Sequence, residues 1–102
     1  MGIDLFWEDE RGKRLGTVSD EKNLSARLLE NSNLDATVFL RFIDRYGDTV
    51  FNQLQIPSLI GEIEHLHATI KDHPTQQQIG AILTLARKSK GEIHTYLKFR
   101  GD

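Results

Sequence analysis

Residues 38–54 read VFLRFIDRYGDTVFNQL, and this stretch carries the clearest pattern in the chain. Apolar and polar residues alternate on both sides of its RYGD segment, which is typical of two strands joined by a bend. We therefore predict strands over 38–44 and 49–54, with Gly47 taking a positive φ at the bend. Because the bend also carries acids and a tyrosine, it is either a structural corner or a contact site.

The segments around this hairpin predict an α+β fold. Alternation predicts strands over 3–8, 13–18 and 92–100, and apolar residues at helical spacing predict helices after Asp20, from Pro57 to about 72 and from Thr75 to about 90. The order β(β)-α-β-β-α-α-β favours a mostly antiparallel sheet of four to five strands with three helices on one face. We expect the last strand to lie centrally or beside the first, and Asp20 to cap the first helix. With 102 residues and no linker or repeat, the chain is predicted to form one domain, 1–102.

The composition excludes several classes of function. The chain has no cysteine, so it forms neither a disulfide nor a thiolate metal site. A net charge of -2 is not the basic character that sequence-independent nucleic-acid binding requires. No signal-peptide pattern opens the sequence, and no apolar run reaches the roughly 20 residues that span a bilayer. We therefore expect a cytoplasmic protein with no membrane partner.

The residue patterns point away from catalysis and metal binding. Glu62 and His65 are spaced as an E-x-x-H pair on one helical face, but di-iron sites need two such motifs and further glutamates. No serine lies in a G-x-S-x-G motif, and no glycine pattern matches a nucleotide-binding fingerprint. We therefore predict a non-enzymatic protein with no catalytic, cofactor-binding or metal-binding residues.

Acidic residues concentrate at two predicted turns, which is the first candidate contact site. General acid–base chemistry needs a desolvated carboxyl group, and acids in exposed turns lack that environment. The favoured interpretation is a solvated turn, and the alternative is an acidic surface that contacts a partner. The residues of this partner-binding hypothesis are Glu8, Asp9, Glu10, Asp44, Tyr46 and Asp48.

The outer face of the predicted sheet is the alternative site. The predicted strands place Ile3, Leu5, Trp7, Val38, Leu40, Phe42, Ile93, Leu97 and Phe99 against the helices. The opposite face then carries Phe6, Phe39, Arg41, Tyr96, Lys98 and Arg100, together with Asp4, Glu8, Ile43 and His94. A large apolar group of this kind is either covered by another element or forms an interface. Three alternatives remain open, namely cover by the first helix, an interface with a second copy or a partner, and a platform on which RNA bases stack.

Three segments give the chain a family resemblance. MGIDLFWED, VFLRFIDRYGDTVFNQ and HTYLKFRGD together resemble small bacterial proteins of uncharacterised function, some of which act as immunity proteins beside polymorphic or contact-dependent toxins. The resemblance spans the whole chain in general character and contains no diagnostic motif, so it assigns no residue roles. It implies a cytoplasmic, non-enzymatic protein that covers the active site of a cognate toxin. Nuclease toxins are commonly basic, so the acidic turns would suit a basic toxin domain as partner.

These observations predict a macromolecule-binding protein with an immunity or regulatory role. The first alternative is a small homodimeric ligand-binding protein or enzyme, whose site at the dimer interface would bring Asp44, His94, Tyr96 or Arg100 together in a pocket. The second alternative is a binder of single-stranded RNA. The acidic net charge, and Asp4 and Glu8 on the same sheet face, argue against it.

Overall fold

The computed structural model describes residues 2–102 and has the predicted α+β class. Its strands are β1 (Ile3–Asp9), β2 (Arg14–Val18), β3 (Asp48–Phe51) and β4 (Thr95–Gly101), and its helices are α1 (Leu24–Asn31), α2 (Ile56–Ala68) and α3 (His73–Ser89). A further short 3₁₀ helix spans Leu40–Phe42. Both proline-led helices begin near the predicted residues, because Pro57 and Pro74 lie in their first turns, where the missing N–H costs no hydrogen bond.

The four strands form one antiparallel sheet in the order β2-β1-β4-β3. β4 lies centrally, as expected, and pairs with β1 along its whole length, from Ile3 opposite Gly101 to Asp9 opposite Thr95. β1 and β2 form a hairpin whose turn contains Gly12 at φ 82°, a backbone conformation that suits glycine. The sheet is therefore centred on two strands that are distant in the sequence.

The hydrophobic core lies between the sheet and the three helices. The strands contribute Ile3, Leu5, Phe51, Leu97 and Phe99, and the two long helices contribute Ile56, Leu59, Ile60, Ile63, Ile79, Ile82, Leu83 and Ala86. Leu28 and Leu29 of α1 pack against this cluster as well, so all three helices share one side of the sheet. The apolar spacing of the helices thus reflects burial against the same sheet face.

Asp20 caps α1 as predicted and also fixes the start of β1. The buried carboxylate accepts hydrogen bonds from the backbone N–H groups of Ser25 (2.9 Å), Ala26 (3.0 Å) and Ile3 (3.0 Å). Asn23, at the N-cap position itself, takes a left-handed conformation at φ 59° and makes no side-chain cap bond. One carboxylate therefore links the first strand to the first helix.

The predicted strand over 38–44 is wrong. Only Asp48–Phe51 of the expected hairpin is β-structure, and the first half contains the 3₁₀ helix instead. The physical reason is that the amides of residues 38–40 donate to the carboxylate of Glu62 on α2, which leaves them unavailable to a strand partner. Gly47 does not take a positive φ either. Asp44 Oδ2 lies 2.8 Å from where a Cβ of residue 47 would be, so a side chain at this position would require the Asp44 carboxylate to shift.

The loss of this strand changes which side chains are buried. Val38 and Phe42, predicted for the core, are exposed, whereas Ile43, predicted for the outer face, is buried. Phe39 also leaves the outer face and packs against the core. Ile93 is exposed as well, because β4 begins only at Thr95, after the predicted start of that strand. The two-residue periodicity of a strand does not apply to segments that are not strands.

Candidate functional site: an anchored surface loop

The acids of the partner-binding hypothesis lie at opposite ends of the sheet. Asp9 is opposite Thr95 and Asp48 is opposite Arg100, so the two positions are five residues apart along β4. At roughly 3.3 Å per residue this separation is about 17 Å. Glu8, Asp9 and Glu10 therefore do not form one continuous acidic surface with the bend at 44–48.

Each of these acids already has a partner within the chain. At the first turn, Glu8 pairs with Lys98 (3.0 Å) and Arg14 (3.6 Å), and Glu10 pairs with His94 Nδ1 (3.3 Å). Asp9 in the same turn accepts from the amides of Arg11 and Lys13 (both 2.9 Å). At the bend, Asp44 accepts from the amide of Tyr46 (2.8 Å) and Asp48 accepts from Arg100 Nε (3.1 Å). The hydrogen bond from Arg100 holds the pKa of Asp48 below its usual range. A partner that used these acids would compete with those contacts.

The outer sheet face brings together four of the six residues predicted for it, Phe6, Tyr96, Lys98 and Arg100, whereas Phe39 and Arg41 lie elsewhere. Of the three alternatives for this face, cover by the first helix is wrong, because α1 packs on the other side of the sheet. Cationic side chains cover Phe6 instead, with Arg14 at 3.9 Å, Arg100 at 5.4 Å and Lys98 at 5.8 Å from the ring centroid. Phe6 is only 5% exposed, so a base could stack on it only after these cations moved.

The most distinctive surface feature is the connection between α1 and β3, residues 32–47. It contains no regular element besides the three-residue 3₁₀ helix. Connections longer than about 12–15 residues without secondary structure are uncommon in compact domains and usually have a function. We refer to residues 32–47 as the anchored loop, because hydrogen bonds hold its backbone to the rest of the domain.

Glu62 of α2 holds the middle of the anchored loop. Its Oε2 accepts from the amide of Val38 (2.6 Å), and its Oε1 accepts from the amides of Phe39 (3.1 Å) and Leu40 (3.0 Å). Three successive amides that converge on one anion form a concave backbone site of the kind called a nest. The Phe39 ring also packs edge-on against Phe51, with centroids 6.0 Å apart, which ties the loop to the core.

The second half of the anchored loop is fixed in the same manner, by bonds to its backbone. Arg41 N donates to Thr37 Oγ1 (3.1 Å), Asp44 N donates to Thr49 Oγ1 (2.8 Å), Tyr46 N donates to Asp44 Oδ1 (2.8 Å), and Gly101 N donates to Gly47 O (2.8 Å). The loop is irregular in shape but is held along its length. A loop held in this way loses little conformational entropy when it binds a partner.

The anchored loop presents large apolar side chains to solvent. Val38, Phe42 and Tyr46 are 57%, 64% and 75% exposed. A guanidinium group lies near each of the two aromatic rings. Arg41 lies 4.8 Å from the Phe42 centroid, and Arg45 lies 5.9 Å from that of Tyr46. Aromatic residues and arginine are enriched among the residues that dominate binding energy at protein interfaces.

Two grooves flank the anchored loop. The larger, of about 760 Å³, lies against α2 and is lined by Thr37, Ser58, Gly61, Glu62, His65 and Thr69 among others. The smaller, of about 270 Å³, lies against the end of α1 and is lined by Glu30, Arg41 and Arg45 with apolar residues. Leu34 and Leu40 line both grooves, so the loop itself separates them.

Sequence reasoning identified only part of this site. Tyr46 and Asp44 were predicted contact residues and do lie on the anchored loop. Val38 and Phe42 were missed because the alternating pattern placed them in the core, and Glu62 was considered only as a metal ligand. No local signal marks Glu62, since its bonds join residues 22 to 24 positions apart. Only the three-dimensional structure reveals that contact.

Residues 2–102 do not bring together a group of side chains that would hold a metal ion. Both oxygens of Glu62 are used by loop amides, and no three His, Asp or Glu side chains converge in this part of the chain as a metal site would require. Of the residues named for a pocket at a dimer interface, His94 directly precedes β4 and Arg100 lies near the far end of that strand. A pocket formed between two copies of the chain stays a prediction.

The chain has no match to a protein-family model, to a curated protein or to a solved structure. Its surface geometry therefore carries the functional conclusion. None of the helices in residues 2–102 combines the length and the apolar character needed to cross a bilayer.

Proposed function

We propose that this chain is a non-enzymatic protein-binding domain whose contact surface is the anchored loop. One observation carries the proposal: the loop backbone is held by Glu62 and its neighbours while Val38, Phe42 and Tyr46 are left exposed. Apolar side chains in water contribute nothing to the core, so their exposure on a fixed loop supports a role in recognition. Fixing the loop in advance reduces the entropic cost of association.

We infer that the biological role is that of a cytoplasmic immunity or regulatory protein. The resemblance to small bacterial immunity proteins supports this role, and so does the absence of cysteine, which fits a reducing compartment. A protein that neutralises a toxin by covering its active site needs a stable contact surface and no chemistry of its own. The anchored loop meets that requirement.

The test compares two variants with matched exposure in a capture experiment from the native cell lysate. Phe42→Ser combined with Tyr46→Ser removes both exposed rings of the loop, whereas Ile93→Ser removes an apolar side chain that is as exposed as Tyr46 but lies outside the loop. We expect wild type and Ile93→Ser to retain the same partner in stoichiometric amount. The double variant should lose it, with affinity reduced at least about 30-fold, since a single hot-spot residue contributes about 2 kcal/mol or more.

Light scattering of the purified chain completes this test. A monomer that acquires a partner only in the lysate fits the proposal. A stable homodimer that dissociates in the double variant would make a second copy the occupant of the loop and would overturn an immunity role. Equal retention of the partner by all three proteins would show that the anchored loop is not the contact surface.

A further inference from the structure

The smaller groove holds an excess of positive charge that the rest of the chain does not neutralise. Arg41, Arg45 and Glu30 line it, above a floor that includes Leu34, Leu40 and Ile43. Glu30 pairs with Arg45 at 3.5 Å. Within residues 2–102, Arg41 forms no ion pair with any acid, and its guanidinium group lies near the ring of Phe42. The groove therefore contains two guanidinium groups and one carboxylate, and only the guanidinium group of Arg45 is paired with it.

The guanidinium group of Arg41 is available to a carboxylate. It lies 4.8 Å from the Phe42 centroid, and because a guanidinium group is planar, its N–H donors lie at its edge, where a carboxylate can accept two of them. The backbone of Arg41 is fixed by its bond to Thr37 Oγ1 (3.1 Å). A backbone held in this way reduces the ordering that is needed when a ligand enters.

The existing ion pair is one that a ligand could exchange. The side chains of Glu30 and Arg45 are 61% and 43% exposed, and their distance of 3.5 Å is longer than that of a strong charge-assisted hydrogen bond. Glu30 thus occupies the groove as an internal competitor. A carboxylate from outside would meet Arg41 directly and would displace Glu30 from Arg45.

We propose that the smaller groove binds an acidic side chain of the protein partner, flanked by an apolar residue that rests on Leu34 and Leu40. This inference rests on the proposed function and specifies the chemistry of the partner at the anchored loop. The partner would therefore bring an acidic group to this groove, whereas the acidic turns led us to expect a basic partner. The reason is that Glu8, Glu10 and Asp48 are already paired with basic side chains of the chain, whereas Arg41 forms no ion pair within residues 2–102.

The test uses two synthetic peptides, one of alternating Glu and Leu and the other with Gln in place of Glu. Titration at low ionic strength, followed by NMR of the labelled chain, should shift the signals of Arg41 and Arg45 with the acidic peptide only. Glu30→Gln should raise the affinity about two- to fivefold, because a surface ion pair no longer competes. Arg41→Gln should lower it at least about tenfold, because a charge-assisted contact is lost. Arg27→Gln, an exposed arginine of α1 outside the groove, should leave the affinity unchanged.

Several results would overturn the inference. Equal shifts with both peptides, or no shift with either, would show that the groove has no preference for a carboxylate. An unchanged or lower affinity for the acidic peptide in Glu30→Gln would show that Glu30 does not compete for the groove. Tighter binding of an oligonucleotide than of the acidic peptide would assign the groove to phosphate. Loss of the lysate partner in the Phe42/Tyr46 double variant, with no peptide binding, would refute the groove alone and leave the proposed function standing.

Discussion

Glu62 is the side chain that accepts three hydrogen bonds from the backbone of the anchored loop. Glu62→Gln keeps the size of the side chain but replaces one acceptor oxygen with an NH₂ group that cannot accept from Val38. We expect the free energy of unfolding to fall by about 1–3 kcal/mol, the range for a hydrogen bond to a charged group and for a donor left unpaired. Amide hydrogen exchange should show the loss of protection at residues 38–40 first.

A neighbouring acid supplies the control for this prediction. Glu64→Gln removes a carboxylate from the same helix, but that group forms only a surface pair with Arg87. Exchange at 38–40 should match wild type in this variant. If Glu62→Gln leaves the protection of these amides unchanged, the carboxylate is not what holds the loop.

At the scale of elements, helix α3 begins at a cap that is sensitive to acid. The hydroxyl and the amide of Thr75 both donate to Asp72, and these hydrogen bonds hold the pKa of Asp72 below its usual range. Because the folded state lowers this pKa, the cap contributes stability above the ordinary carboxyl value of about 4 and loses it as the pH falls through the lowered value.

The variant Asp72→Asn tests this pH dependence, since a neutral amide oxygen still accepts at the cap but does not titrate. We expect the unfolding temperature of wild type to exceed that of Asp72→Asn near neutral pH and the two to converge as the pH falls below about 4, through the lowered pKa of Asp72. Asp35→Asn removes an exposed carboxylate that forms no hydrogen bond or ion pair within residues 2–102. This control should show the same pH dependence of the unfolding temperature as wild type. Parallel curves for wild type and Asp72→Asn would show that the cap charge has no effect.

The elements also show how far the sequence is informative. The start of α2 follows from Pro57, and the end of α3 follows from Gly91, which has a positive φ after the last turn. The predicted end of α2 at about residue 72 is wrong, because α2 ends at Ala68 and Asp72 instead caps α3. β1, β2 and β4 follow from alternation. The segment 38–44 alternates equally well but is not a strand, because its amides bind a carboxylate more than 20 residues away. The fold class could be predicted, but the candidate site could be predicted only in part, since long-range contacts hold the loop that carries it.

At the scale of the whole molecule, the end of the central strand supports the loop. Gly101 donates to Gly47 O, and a Cβ on Gly101 would overlap the carbonyl group of Arg45. Gly101→Ala should therefore destabilise the fold by about 1–3 kcal/mol, as overpacking does, and shift the NMR signals of residues 44–47. Gly61→Ala is the matched control, because nothing lies within 4 Å of its Cβ position and alanine favours a helix by about 0.5–1 kcal/mol.

Chemical denaturation of these two glycine variants decides the question. A destabilised Gly101→Ala and a stabilised Gly61→Ala would show that sheet and loop are packed as one unit. A neutral effect at Gly101 would mean that the loop gives way without cost, and the loop would then be less rigid than its hydrogen bonds indicate.

The way Glu62 holds the anchored loop separates the shape of the loop from the identity of its side chains. The contact is made to main-chain amides, which every residue except proline provides at positions 38–40. The exposed positions Val38, Arg41, Phe42 and Tyr46 can therefore be randomised while the backbone keeps its path. If the anchored loop is the contact surface, new binding specificities could be selected by exchanging these four side chains without rebuilding the fold.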